Sequence, residues 1–166
     1  MRKALMVIDM QEFTVGINHA KMFDYSSDLL ENANRIINNT DADIVVYIRN
    51  LMKNSLLNKF TPFRCFDGMK EAELVEGLAV INKNIFDKFE ANAFSNASLL
   101  SFLTENKVSE LEMIGVDGGG CVSLTAIGAI NAGFKVRLNT VAIGTIFQKR
   151  KKKYFQKLEK MGAVIM

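Results

Sequence analysis

Three residues far apart in this 166-residue chain could together do nucleophilic chemistry: a carboxylate at Asp9, an ammonium at Lys88 and a thiol at Cys121. The carboxylate could take the thiol proton as general base, while the ammonium stabilises the thiolate and holds the carboxylate in place. Cys121 ends the stretch Gly115-Val116-Asp117-Gly118-Gly119-Gly120-Cys121. The apolar run Leu111 to Val116 reads as a buried strand, the glycines as a turn free to take unusual backbone angles, and Val122 to Ala132 as a helix. Cys121 then sits at a helix N-terminus, where unpaired N–H groups and the helix dipole predict a pKa below that of a free cysteine. The same N–H groups could hold an oxyanion if the sulfur attacked a carbonyl carbon.

Each residue also has a plainer account. Cys121 could be a small buried apolar residue, Asp9 a loop cap at a strand end, and Lys88 one of many solvated lysines. A phosphate-binding turn fits poorly, because Ser123 stands where a G-x-G-x-x-G pattern needs its third glycine and no Gly-Lys-Ser/Thr follows.

The elements that would position the three residues are legible from hydrophobic pattern. Lys3 to Ile8 reads as a first buried strand ending at Asp9-Met10-Gln11, and Asp24 to Asn39 as a helix. Ile44 to Ile48 is a second strand closing at Arg49-Asn50; together these make a right-handed crossover unit. Leu51 to Gly68 is irregular and holds the one proline, Pro62; long connections at strand ends commonly carry binding residues. Lys70 to Gly77 is expected to form a short helix, Val80 to Phe86 a third strand, Asp87 to Phe94 a loop, and Ser95 to Asn106 a helix. Glu110 to Val116 is strand four, Phe134 to Leu138 strand five after Gly133, Phe147 to Met161 the last helix, and Ala163 to Met166 an edge strand. The fold class is α/β: a three-layer α/β/α domain over residues 1–166 with a mostly parallel, six-stranded open sheet. Ligands collect outside the carboxyl ends of such strands, so Asp9, Lys88 and Cys121 should open onto one rim.

Composition narrows the function classes. The hydrophobic content of 49% and the net charge of +3 are ordinary for a globular domain. The basic run Lys149 to Lys153 reads as the solvated face of an amphipathic helix whose apolar side is Phe147, Tyr154, Phe155 and Leu158, so no nucleic-acid partner is expected. Two distant cysteines, with no signal peptide and no membrane-spanning run, predict free thiols, a cytoplasmic location and no membrane partner. The single histidine, His19, excludes zinc sites built on several histidines and lies in a polar, loop-like stretch. A nucleophilic Cys121 therefore needs an activator other than histidine.

These residues resemble the isochorismatase-like cysteine hydrolases, a family that includes nicotinamidases and N-carbamoylsarcosine amidase. The resemblance covers almost the whole chain. Its marks are Asp9-Met10-Gln11, Lys88 followed by Asn92-Ala93-Phe94, and Gly115-Val116 leading to Cys121-Val122 and Thr125-Ala126. It implies a catalytic triad of Asp9, Lys88 and Cys121, a non-proline cis peptide between Val116 and Asp117, and an oxyanion hole from the Asp117 and Cys121 amides. Gln11 and Phe13 are expected either to shape a substrate pocket or to serve packing. The implied partners are a small-molecule substrate and further copies of the chain as a homo-oligomer.

Two departures from the family pattern carry information. Many members have Ala-Thr-Asp or Thr-Thr-Asp where this chain has Asp117-Gly118-Gly119, an acid that could alter substrate choice or point outward. Nicotinamidases carry an Asp-x-His metal motif after strand two, replaced here by Arg49-Asn50-Leu51, so neither a metal nor a cofactor is expected. Isochorismatases proper lack the cysteine, so Cys121 points to the amidase-like branch: C–N bond cleavage in a small amide, ureide or carbamoyl compound through a thioester. The alternative is a catalytically silent domain of the same fold that binds a small ligand or a partner. Arg49, Arg64 and Arg137 are candidates for recognising a substrate carboxylate, and Cys65 is read as structural.

Overall fold

The central strand shows why the sheet needs cover on both sides. In β1 (Arg2–Ile8) every residue from Ala4 to Ile8 is fully buried, so the strand is a continuous apolar run rather than an alternating one. The structure is a computed structural model and describes residues 2–53 and 64–166. Five further strands join β1: β2 (Ile44–Asn50), β3 (Ile85–Lys88), β4 (Val108–Gly115), β5 (Lys135–Ile143) and β6 (Val164–Ile165). All pairings are parallel and the order is β3-β2-β1-β4-β5-β6. The order reverses between β1 and β4, the switch point outside whose carboxyl ends ligands of such sheets collect.

Alternate residues of each strand feed two cores. Ala4, Met6 and Ile8 pack with Val46, Ile48 and Met113 beneath α3 (Ala97–Glu105), α4 (Cys121–Asn131) and α5 (Gln148–Lys160). Leu5 and Val7 pack on the other face with Val45, Tyr47, Ile114 and the Leu29, Ala33 and Ile37 stripe of α2 (Leu29–Asn39). In α5 only Phe155 and Leu158 of the expected apolar side are buried, while Phe147 precedes the helix and is largely exposed.

Several boundaries differ from the sequence reading, each for a physical reason. The third strand begins at Ile85 instead of Val80, leaving Val80 and Ile81 exposed. Asn82 and Asn84 both donate side-chain hydrogen bonds to Val45 O, and Tyr47 Oη joins Ala79 O and Ile81 N, so side chains replace the ladder over this stretch. The strand then continues into Asp87-Lys88, expected as loop. Between Lys70 and Gly77 only a 3₁₀ turn at Lys70–Ala72 forms, because 73–75 extends beside 10–12: Glu12 N bonds Glu73 O and Val75 N bonds Met10 O. The first long helix starts at Leu29, five residues later than expected, and a short helix, α1 (Glu12–Val15), is new; Gln11 N donates to Thr14 Oγ1 at its start. Strand five runs on to Ile143, past the polar Asn139-Thr140, because a register slip after Met113 lets Ile143 pair with Gly115. Of the irregular stretch expected from Leu51 to Gly68, residues 54–63, with Pro62, lie outside the described residues.

Candidate active site

The rim at the β1/β4 switch point is built by three strand ends and one helix start. Asp9 leaves β1 in the left-handed region (φ 54°), unusual for a residue with a side chain, and is fixed there by its N–H to Ile48 O (2.9 Å) and by Thr14 Oγ1 donating to its carbonyl (2.6 Å). Lys88 ends β3, two strands away from β1, and its register partner on the intervening strand is Asn50. Strands are spaced about 4.8 Å apart, so a side chain from β3 reaches Asp9 only by crossing the end of β2. A four-carbon stem does this, and Asn50 Oδ1 accepts from the ammonium on the way (3.0 Å).

The three expected chemical groups meet. Lys88 Nζ lies 2.9 Å from Asp9 Oδ2 and 3.3 Å from Cys121 Sγ. Asp9 is 3% exposed and Lys88 1%. The second carboxylate oxygen, Asp9 Oδ1, has no hydrogen-bond partner among the described residues, which leaves an acceptor available for a proton. Burial raises the Asp9 pKa against the opposing pull of Lys88, bringing a carboxylate closer to the basicity useful at neutral pH. Burial works to lower the pKa of Lys88, but the Asp9 charge and the contacts with Asp9 and Cys121 outweigh it and the net shift is upward, so the ammonium keeps its proton.

Cys121 departs from expectation. It does open α4, with Gly120 as the preceding cap residue, but its pKa is pushed up to about 12, not down. Burial of the sulfur is the largest cause and the Asp9 charge the next; the opposing pull of Lys88 does not offset them. The resting sulfur is therefore a thiol beside its base. In the folded chain this proton is held from the ordinary 9.0 up to about 12, so the group's contribution to stability is complete below pH 9 and falls as pH rises from 9 towards 12. Urea midpoints measured across that window are expected to decline less steeply in Cys121→Ser than in the parent. Equal slopes would show that the thiol does not hold its proton.

The turn before the nucleophile contains a cis peptide between Val116 and Asp117. Of the glycines here only Gly115 has positive φ (115°), and a Cβ on it would stand 2.1 Å from Ile8 O. Gly118 and Gly119 serve packing instead: Cβ atoms there would meet Thr145 Oγ1 at 2.4 Å and Phe147 O at 2.6 Å. The N–H groups of Asp117 and Cys121 have no acceptor among the described residues. The Asp117 carboxylate neither points outward nor stays free to meet a substrate. It is buried and bonded to Tyr25, Gly119 and Ile146.

Gln11 is fully buried, and its amide is spent on backbone: Oε1 accepts from Asn50 N (2.6 Å), and Nε2 donates to Ala72 O (2.7 Å) and Asn50 O (3.2 Å). It thus holds the residue that meets Lys88. Phe13 packs with Leu51, Cys65 and Ala72, edge-on to Phe23, which stacks on Tyr25. Cys65 is buried, and its pKa is raised to about 11 by burial and then by the Asp9 charge. Arg49 grips Asp87 with two hydrogen bonds and reaches Glu73, while Arg137 pairs with Glu110 near the amino ends of the strands. His19 makes no hydrogen bond to the three central groups; its Nδ1 lies 3.1 Å from Ala20 O. Asn50, Thr14 and Tyr25 are contributors that the sequence pattern does not single out. Asn50 ends β2 and so shares the carboxyl edge with Asp9 and Lys88, but nothing local marks the other two.

This is an open parallel α/β sheet with a carboxylate, an ammonium and a thiol buried together at its switch point. An isochorismatase-domain family model matches residues 3–166, and the chain belongs to this family of hydrolases. Among curated proteins no sequence matches. Several solved structures share the fold. PnC1 from L. infantum in complex with nicotinate superposes with a TM-score of 0.88 at 19% identity, over 99% of this chain and 92% of that one. Pyrazinamidase of Pyrococcus horikoshii in complex with zinc gives 0.82 at 23% identity over 100% and 99%. N-carbamoylsarcosine amidase from Thermoplasma acidophilum gives 0.83 at 19% identity over 99% and 95%.

The end of β2 in this chain does not suit a divalent metal. Arg49 puts a guanidinium there, Asn50 faces the Lys88 ammonium, and Leu51 is buried and apolar. No helix among the described residues is long and apolar enough to cross a membrane.

Proposed function

We propose that this chain is a cysteine-dependent amidase that cleaves the C–N bond of a small amide, ureide or carbamoyl compound. The observation that carries this reading is the buried ammonium of Lys88 touching both Asp9 Oδ2 and Cys121 Sγ, while Asp9 Oδ1 keeps an unused acceptor site. In the proposed sequence Asp9 takes the Cys121 proton as the sulfur attacks the carbonyl carbon, forming the C–S bond. The oxyanion is received by the Asp117 and Cys121 N–H groups. Asp9 returns the proton to nitrogen, the C–N bond breaks, and ammonia or an amine leaves a thioester. Asp9 then accepts a proton from water as its oxygen attacks, and the C–S bond breaks to release the acid and restore the thiol. Lys88 remains cationic and keeps a buried anion, carboxylate or thiolate, compensated throughout.

The acid of the unusual Asp117-Gly118-Gly119 turn is bonded inward, so it is not a group that would disable the sulfur. Ammonia release from a panel of small amides, ureides and carbamoyl compounds tests the proposal: release from at least one is expected, and release from none would favour a binding domain.

A further inference from the structure

We propose that Asp117 is a positioning residue whose carboxylate clamps the glycine turn so that the Asp117 and Cys121 N–H groups stay aimed at the developing oxyanion. The inference rests on the amidase reading above. The carboxylate joins three segments that are distant in sequence. Oδ1 accepts from Gly119 N in the turn itself, and Oδ2 accepts from Ile146 N (2.7 Å) in the β5–α5 connection and from Tyr25 Oη (3.3 Å) ahead of α2. The Asp117 carbonyl is held as well, accepting from Gly120 N (2.9 Å) and Val122 N (3.1 Å) at the start of α4. Of this residue's polar groups only the N–H is left without an acceptor among the described residues.

The need for a clamp follows from the glycines. Gly118 and Gly119 must lack side chains because the turn lies directly on Ile143, Thr145 and Phe147, and Gly144 must lack one because Tyr25 and Val116 occupy its Cβ position. Three successive glycines leave the turn without packing side chains of its own and give it more backbone freedom to lose than any other sequence. One backbone tie, Gly118 N to Gly144 O (2.9 Å), and the Ser123 hydroxyl on Gly118 O (2.6 Å) hold one side of the turn. Asp117 holds the other, with both its oxygens bonded to groups of the protein itself.

The test compares Asp117→Ala, Asp117→Asn and Tyr25→Phe with the parent by three readouts. Ammonia release needs the oxyanion hole; alkylation of Cys121 by iodoacetamide, a displacement at a methylene carbon, does not; amide hydrogen exchange at Gly119 and Ile146 reports the clamp directly. Loss of one oxyanion donor costs about 10²–10³ in kcat, so a donor left in place but loosened is expected to cost about 10–100-fold in Asp117→Ala, with KM and the alkylation rate within about threefold of the parent. Asp117→Asn, which keeps one acceptor but sets an NH2 donor against either Gly119 N or Ile146 N, should recover only part of the loss, and Tyr25→Phe, which removes one of three bonds, should lose less than Asp117→Ala.

Unchanged turnover in Asp117→Ala would overturn the proposal, and so would an equal fall in turnover and alkylation, since Asp117 would then act on the thiol or the fold. Should the parent release ammonia from nothing, the amidase reading fails on its own. The clamp is then judged by hydrogen exchange, where rates at Gly119 and Ile146 in Asp117→Ala no faster than in the parent would overturn it.

Discussion

Replacing Cys121 by alanine is expected to abolish turnover of any compound the parent hydrolyses, by about 10⁴-fold or more in kcat, without unfolding the protein. Loss of a nucleophile that works as a unit with its base removes the covalent route entirely and leaves only what binding and the oxyanion hole supply. The fold should tolerate the change because Lys88 keeps its contacts with Asp9 and Asn50 when the sulfur is gone, so no buried charge is left unpaired. Parallel assays of ammonia release and urea unfolding check both halves. Hydrolysis retained in Cys121→Ala would remove the thioester mechanism, and a collapsed midpoint would mean that the thiol is a core group before it is a nucleophile.

The second large effect concerns the buried ion pair. Asp9→Asn leaves an ammonium with only an amide and a thiol for company, and Lys88→Met leaves a carboxylate with neither oxygen bonded by a cation. Removing one partner of a buried pair costs about 3–5 kcal/mol, whereas replacing both by neutral groups of similar shape is far milder. The double variant is therefore expected to recover most of the stability lost by either single one while remaining as inactive as both. Asparagine is the right replacement at position 9 because it tolerates the left-handed backbone found there. A double-mutant cycle in urea measures the coupling. Single variants each within about 1 kcal/mol of the parent would show a pair behaving as a solvated one, and the reading of Lys88 as a buried charge would fail.

Residue types and order carried the main line of the fold and of the candidate site. The apolar runs at Lys3–Ile8, Ile44–Ile48 and Leu111–Val116 mark strands that parallel topology aligns with their carboxyl ends on one side. Asp9, Lys88 and Cys121 could thus be gathered from positions 9, 88 and 121 without any contact being known. The third strand starts several residues later than its apolar pattern predicts, because Asn82 and Asn84 cap Val45 O with their side chains, and Lys88, expected just beyond the strand, ends it on the same edge.

What sequence could not reach was everything set by neighbours from other segments. Asn50 is an ordinary strand-end residue until Lys88 crosses it, and Gln11 is a candidate pocket residue until its amide is found bonded to Asn50 and Ala72. Asp117 is an unexplained acid until Tyr25 and Ile146 arrive to bond it. The protonation of Cys121 differs from expectation for the same cause. A helix start is a local feature visible in sequence, but the desolvation and the nearby carboxylate that push its pKa up to about 12 come from β1 and the surrounding core. Local pattern settles which chemical groups face one edge of the sheet; the charge each carries there depends on what water is removed and which partner replaces it, and only tertiary packing decides that.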